Sequence, residues 1–131
     1  MQAILINPFE RTVSAVEYNG DYKQISQLID AEHFDVASID RINGVFVDDE
    51  GLFKANDTPC QQQFFAISKA SGDVIFLAGK ALILATDNEG DSIPPTVTIA
   101  DIYSRVVWIS QEKAIPIAKH ILSQSGQVFA I

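Results

Sequence analysis

Only one cysteine, Cys60, stands among the 131 residues of this chain. An intrachain disulfide and a multi-cysteine zinc site both need further thiols, so neither is available. Cys60 follows Thr58-Pro59 in a polar stretch, which reads as a free loop thiol rather than a nucleophile. Long apolar runs are missing as well, since none approaches the roughly 20 residues of a membrane span. The opening Met1-Gln2-Ala3-Ile4-Leu5-Ile6 lacks the positive region and cleavage site of a secretory signal, so a cytoplasmic protein is expected. Without secretion, the acceptor-like triplet Asn56-Asp57-Thr58 has no consequence. Histidine is scarce. His33 and His120 have no metal-ligand spacing, and no Gly-x-Ser-x-Gly sequence accompanies them, so a serine or cysteine triad is unsupported.

Positive charge is also in short supply. Nine Lys and Arg face seventeen Asp and Glu, for a net charge of −8. The imbalance is local: residues 1–65 hold eleven acids and four bases, residues 66–131 six acids and five bases. Such a surface repels phosphate backbones, so direct nucleic-acid binding is not expected, whereas a basic protein partner is compatible. Gly79-Lys80 resembles the end of a phosphate-binding loop, but position 74 is Val and position 81 is Ala where that loop needs Gly and a hydroxyl residue. A P-loop is therefore rejected, although Lys80 remains a possible isolated anion contact.

What is present is ample apolar material, 47% of residues against 20% charged, enough for a hydrophobic core. Its spacing predicts short strands over residues 2–6, 12–18 and 34–39, with a helix at about 21–31 capped by Asp21. Asn43-Gly44 reads as a tight turn, and Val45-Phe46-Val47 as a strand returning through Leu52-Phe53 in a second hairpin. Residues 54–62 read as loop. Phe64–Ile67, Val74–Leu77 and Ala81–Ala85 read as central strands buried on both faces. Thr98 with Asp101 predicts a capped helix at 99–105, followed by a strand at 106–109. Pro116 suits the first position of a C-terminal helix that stops at Gly126, with a last strand at Val128–Ile131. All seven glycines fall at expected boundaries or turns. The expectation is a single α+β domain over residues 1–131, a mostly antiparallel sheet of short strands with two or three short helices.

Two acidic segments are distinctive: Val47-Asp48-Asp49-Glu50-Gly51 and Thr86-Asp87-Asn88-Glu89-Gly90-Asp91. Each groups carboxylates in a Gly-ended turn after an apolar run. Grouped carboxylates can hold a hard cation, although neither segment fits a calcium loop and hairpin tips are built from the same residues. If the two tips meet at one end of a sheet, a metal-dependent hydrolase using Asp48, Asp49, Asp87 and Glu89 becomes reasonable. Tyr18 and Tyr22 flank Asn19-Gly20 and offer either a stacking platform or core packing.

The ordered motifs Asn7-Pro8-Phe9, Val16 to Tyr22, Val45 to Leu52, Gly79 to Leu82 and Thr86 to Asp91 resemble a family of small phage- and plasmid-borne proteins known only as a domain of unknown function. The resemblance covers about residues 3–109. Ala81, where members more often carry Gly, and a longer link over 54–62 depart from it. It implies a mobile-element origin, a bacterial host cytoplasm and no particular activity. The resulting expectation is a non-enzymatic binding protein without a cofactor, antagonising or modulating a host defence factor. Its surface would combine Tyr18, Tyr22, Asp48, Asp49, Glu50, Asp87, Glu89 and Asp91. A second expectation is a sponge for a small nucleotide or anionic signal, for which Lys80, Arg105, Arg41 and Lys23 are the available donors, pooled across a homo-oligomer if need be. Exposed strand edges make that oligomer plausible.

Overall fold

The computed structural model describes residues 1–52 and 62–124. Along them run β1 (Gln2–Asn7), β2 (Thr12–Glu17), α1 (Tyr22–Leu28), β3 (Phe34–Ser38) and β4 (Asn43–Asp48). Next come β5 (Phe64–Ser68), β6 (Val74–Ala78), β7 (Ala81–Thr86), β8 (Ser92–Ile93), α2 (Ile99–Arg105), β9 (Val106–Ile109) and α3 (Gln111–Gln124). Every strand pairing is antiparallel, so the chain has an α+β fold dominated by sheet.

The strands form two sheets. One has six strands in the order β2-β1-β7-β4-β3, with β8 added beside β7. The other has three, β6-β5-β9. Period-two alternation divides the side chains of the larger sheet between two interiors. Ile4, Ile6, Val45, Val47, Ala81 and Ile83 point toward the smaller sheet and meet Phe65 and Ile67 in a shared core. Ala3, Leu82 and Leu84 point the other way and pack under Ile25 and Ile29, the α1 helix and its cap. On the far side of the smaller sheet, Phe64 and Ala78 meet Ala114 and Ala118 of α3. Four layers result: α1, the larger sheet, the smaller sheet, α3. Each fully buried Leu or Ile in these interiors contributes about 1.5–3 kcal/mol.

Local chemistry explains most boundaries. Asp21 caps α1 by accepting from Lys23 N, and Thr98 caps α2 by accepting from Asp101 N. Ile102 carries α2 into the core between the sheets.

Five expectations need correction. Asn43-Gly44 is not a turn: both residues begin β4, and the reversal falls at Asp40–Ile42, where Asp40 Oδ1 accepts from Ile42 N and Asn43 N. A side-chain-stabilised Asp turn has displaced the Asn-Gly one. Gly44 thus sits inside a strand, against the expectation that every glycine marks a boundary. Leu52 does not begin a return strand, for it is helical with Gly51, whose absent side chain lets it approach Ala78 O. Of the three dense apolar runs, β7 is buried on both faces, but β6 is an edge strand with Val74 exposed. Pro116 is not the first residue of α3, which begins five residues earlier behind Ser110, whose carbonyl accepts from Lys113 N and Ala114 N. The Phe53 end of the second hairpin, the loop at 54–61 with Cys60, Gly126 and the strand expected at Val128–Ile131 lie outside the described residues.

Candidate functional site

The two acidic tips do not meet. In the register between β4 and β7, Val47 faces Ala81 and Asn43 faces Ala85. Asp48 therefore leaves the sheet beside Lys80, and Asp87 leaves it at the opposite end. The six residues of β7 lie between Lys80 and Asp87, which at ~3.3 Å per strand residue is about 20 Å. The joint metal site of Asp48, Asp49, Asp87 and Glu89 is not formed, because the central strand holds its halves apart.

Within each tip the first carboxylate serves the turn. Asp48 Oδ1 accepts from Glu50 N, and Asp87 Oδ1 accepts from Glu89 N and Asp91 N, each at 2.9 Å. Asp87, Glu89 and Asp91 bring one ligand atom each within 4.8 Å of one another. That spacing is also what an Asp-nucleated turn produces without a metal. Tyr18 is not half of a stacking platform: it is 1% exposed, packed with Ile25 and Leu84, and burial raises its pKa, with the Asp21 charge adding to the effect. Tyr22 alone is exposed, on a shallow groove with His33 and Phe34. Lys80 is paired with Asp30 rather than open to an anion.

The structure gathers a different set of residues. At the Asp87 end of the larger sheet, the β3–β4 turn lies against the β5–β6 turn, joined by Ala70 N donating to Ile39 O at 2.9 Å. Between them opens a cleft of about 750 Å³. Grooves at Tyr22 and at Asp48 measure about 410 and 170 Å³. Ile39, Ile42 and Ala70 give the cleft an apolar lining, Arg41 and Lys69 give it two cations, and Thr96 contributes a hydroxyl. Ile42 is 46% exposed there, a large apolar side chain facing water.

A buried polar cluster holds this wall in place. Asn43 is 2% exposed, and its Nδ2 donates to Asp40 Oδ2 at 2.9 Å and to Thr96 Oγ1 at 2.7 Å. Its Oδ1 accepts from Thr96 N at 3.0 Å. One side chain thus fastens the β3–β4 turn to the segment before α2. Partial burial disfavours the Asp40 carboxylate, but three hydrogen bonds from Asn43 N, Ile42 N and Asn43 Nδ2, with the Arg105 charge, outweigh it and hold the pKa below the ordinary carboxylate value. Arg105 itself pairs with Asp101 through Nη2 at 3.3 Å, while its Nη1 is buried without a hydrogen-bond partner among the described residues. Lys23 lines the Tyr22 groove, away from this cleft.

Sequence reasoning named Arg41 as an available cation, placed Asn43 only in a turn, and gave no role to Lys69 or Thr96. The visible signal was Asp40-Arg41-Ile42-Asn43 between two alternating segments, an Asp-nucleated tip with a cation on it. Reading Asn43-Gly44 as the turn hid it.

Comparison with known families bears on residues 1–106, which match the pattern described as Domain of unknown function (DUF3846). No curated protein and no solved structure matches the chain.

Proposed function

The chain belongs to the DUF3846 family, whose function is unknown, and from its geometry we propose a non-enzymatic binding protein that sequesters a small anionic ligand in the Arg41–Lys69 cleft. One observation carries this reading: a chain of net charge −8 places two cations on an apolar cleft while the one carboxylate there is already hydrogen-bonded through both oxygens. Its volume falls inside the ~300–1,000 Å³ range of small-molecule sites. Calorimetry with a panel of small anions, repeated on Arg41→Ala, tests it. Binding that weakens at least tenfold in the variant supports the cleft, and silence across the panel sinks it.

A second reading keeps the phage-derived antagonist of a host defence factor. Asp35, Asp48 and Asp49 surround a small groove over Leu77 and Ala78, an acidic mouth on an apolar floor suited to a basic, partly apolar protein segment. Capture of a host protein that survives Arg41→Ala but is lost on charge reversal at Asp48, Asp49 and Glu50 would favour this reading over the first.

A further inference from the structure

Resting on the cleft assignment above, we propose that its ligand is a phosphomonoester carried on a flat ring, the chemistry of a nucleoside monophosphate. Three features of the wall define this class. The first is the donor set. Arg41 offers a forked guanidinium, Lys69 a compact point charge, and Thr96 a hydroxyl whose oxygen already accepts from Asn43 Nδ2, so that its proton points elsewhere. A carboxylate has two oxygens, which an arginine fork alone can take; a phosphomonoester has three terminal oxygens to divide among the three groups.

The second feature is the apolar lining. Ile42 presents nearly half its surface beside Ala70 and Ile39, and a bare inorganic anion would leave it wet. A purine or pyrimidine face covers it while the anion reaches the cations.

The third feature limits charge. Thr86 N donates to Ile42 O at 3.0 Å, so the next residue, Asp87, and the tip with Glu89 and Asp91 stand at the same end of the sheet. Two cations beside that acidic tip suit an anion of one or two charges and disfavour a triphosphate or a polynucleotide.

Calorimetry on the full chain tests the proposal with AMP, GMP, CMP and UMP as probes. Adenosine, guanosine, cytidine, uridine, inorganic phosphate, ATP and 2-naphthoate serve as the comparison arms. At least one monophosphate should bind ten times or more tighter than its own nucleoside and than phosphate, and ATP should bind more weakly than AMP. Arg41→Ala and Lys69→Ala should each weaken that monophosphate tenfold or more. Both positions lie in turns at the surface, and an unchanged thermal midpoint verifies the fold. Three results overturn the proposal: no monophosphate binding, a nucleoside binding as tightly as its nucleotide, or ATP outcompeting AMP. Should 2-naphthoate bind and be lost in Arg41→Ala while no monophosphate binds, the phosphomonoester falls and the anionic cleft stands. Should nothing in the panel bind, both fall.

Discussion

Asn43 joins sequence-distant parts of the molecule through a single amide, because its partners lie three and fifty-three residues away. Its removal leaves Asp40 Oδ2 and Thr96 N to find water at the edge of a buried site. A loss of about 2–3 kcal/mol is expected for Asn43→Ala, set by the penalty of unpaired polar groups, and urea unfolding measures it. The neighbouring carboxylate gives a pH signature. Asp40 has a folded pKa held below its ordinary 3.8, so its contribution is fully present above that value and is lost as pH falls through the lower folded one. Wild type should therefore lose stability more steeply than Asp40→Asn as pH falls from about 5 to about 2. Equal slopes in denaturant midpoints would show that the carboxylate does not act as described. By contrast, Lys80 and Asp30 form a pair in which Asp30 is largely exposed, and Lys80→Ala should shift stability by under about 1 kcal/mol.

At the scale of elements, α3 carries an internal defect. Pro116 is its sixth residue, and lacking an N–H it leaves the Glu112 carbonyl without its usual donor four residues on. The face of α3 that packs on Phe64 and Ala78 uses Ala114 and Ala118, so Pro116 can be changed without touching that contact. Pro116→Ala should stabilise the protein by about 1 kcal/mol or more, read as a rise in thermal midpoint; a fall would mean that the bend set by proline is needed to seat the helix. The same proline shows where sequence reading succeeds and where it fails. The strands at Gln2–Asn7 and Phe34–Ser38 and the capping pair Thr98–Asp101 were legible, because neighbouring residues settle them. Pro116 and Asn43-Gly44 were misread, because strong local preferences were overridden by contacts from outside the window. Ser110 starts the helix early, and the Asp40 turn leaves Asn43 free to enter the core. The cleft was illegible for a related reason. Arg41 and Lys69 come from turns in different sheets, which the pairing of Ile39 with Ala70 brings together.

Across the whole molecule the two acidic tips stand at opposite ends of one central strand, and this arrangement separates the two functional readings. Asp48, Asp49 and Glu50 lie about 20 Å from the Asp87 end at strand spacing, beyond the ~8 Å screening length of physiological salt. Reversing those three charges should change the affinity of an anion in the Arg41–Lys69 cleft by less than about twofold at 0.15 M salt. Neutralising Asp87, Glu89 and Asp91 should instead tighten the same anion several-fold, since carboxylates at its own end repel it. The gain should shrink between 0.05 and 0.5 M salt as the screening length contracts. Calorimetry at the two salt concentrations measures both effects. If reversal at the distant tip were to alter the cleft as strongly as neutralisation at the near one, the ends would be coupled through the fold rather than through its field. The central strand would then transmit between them instead of keeping them apart.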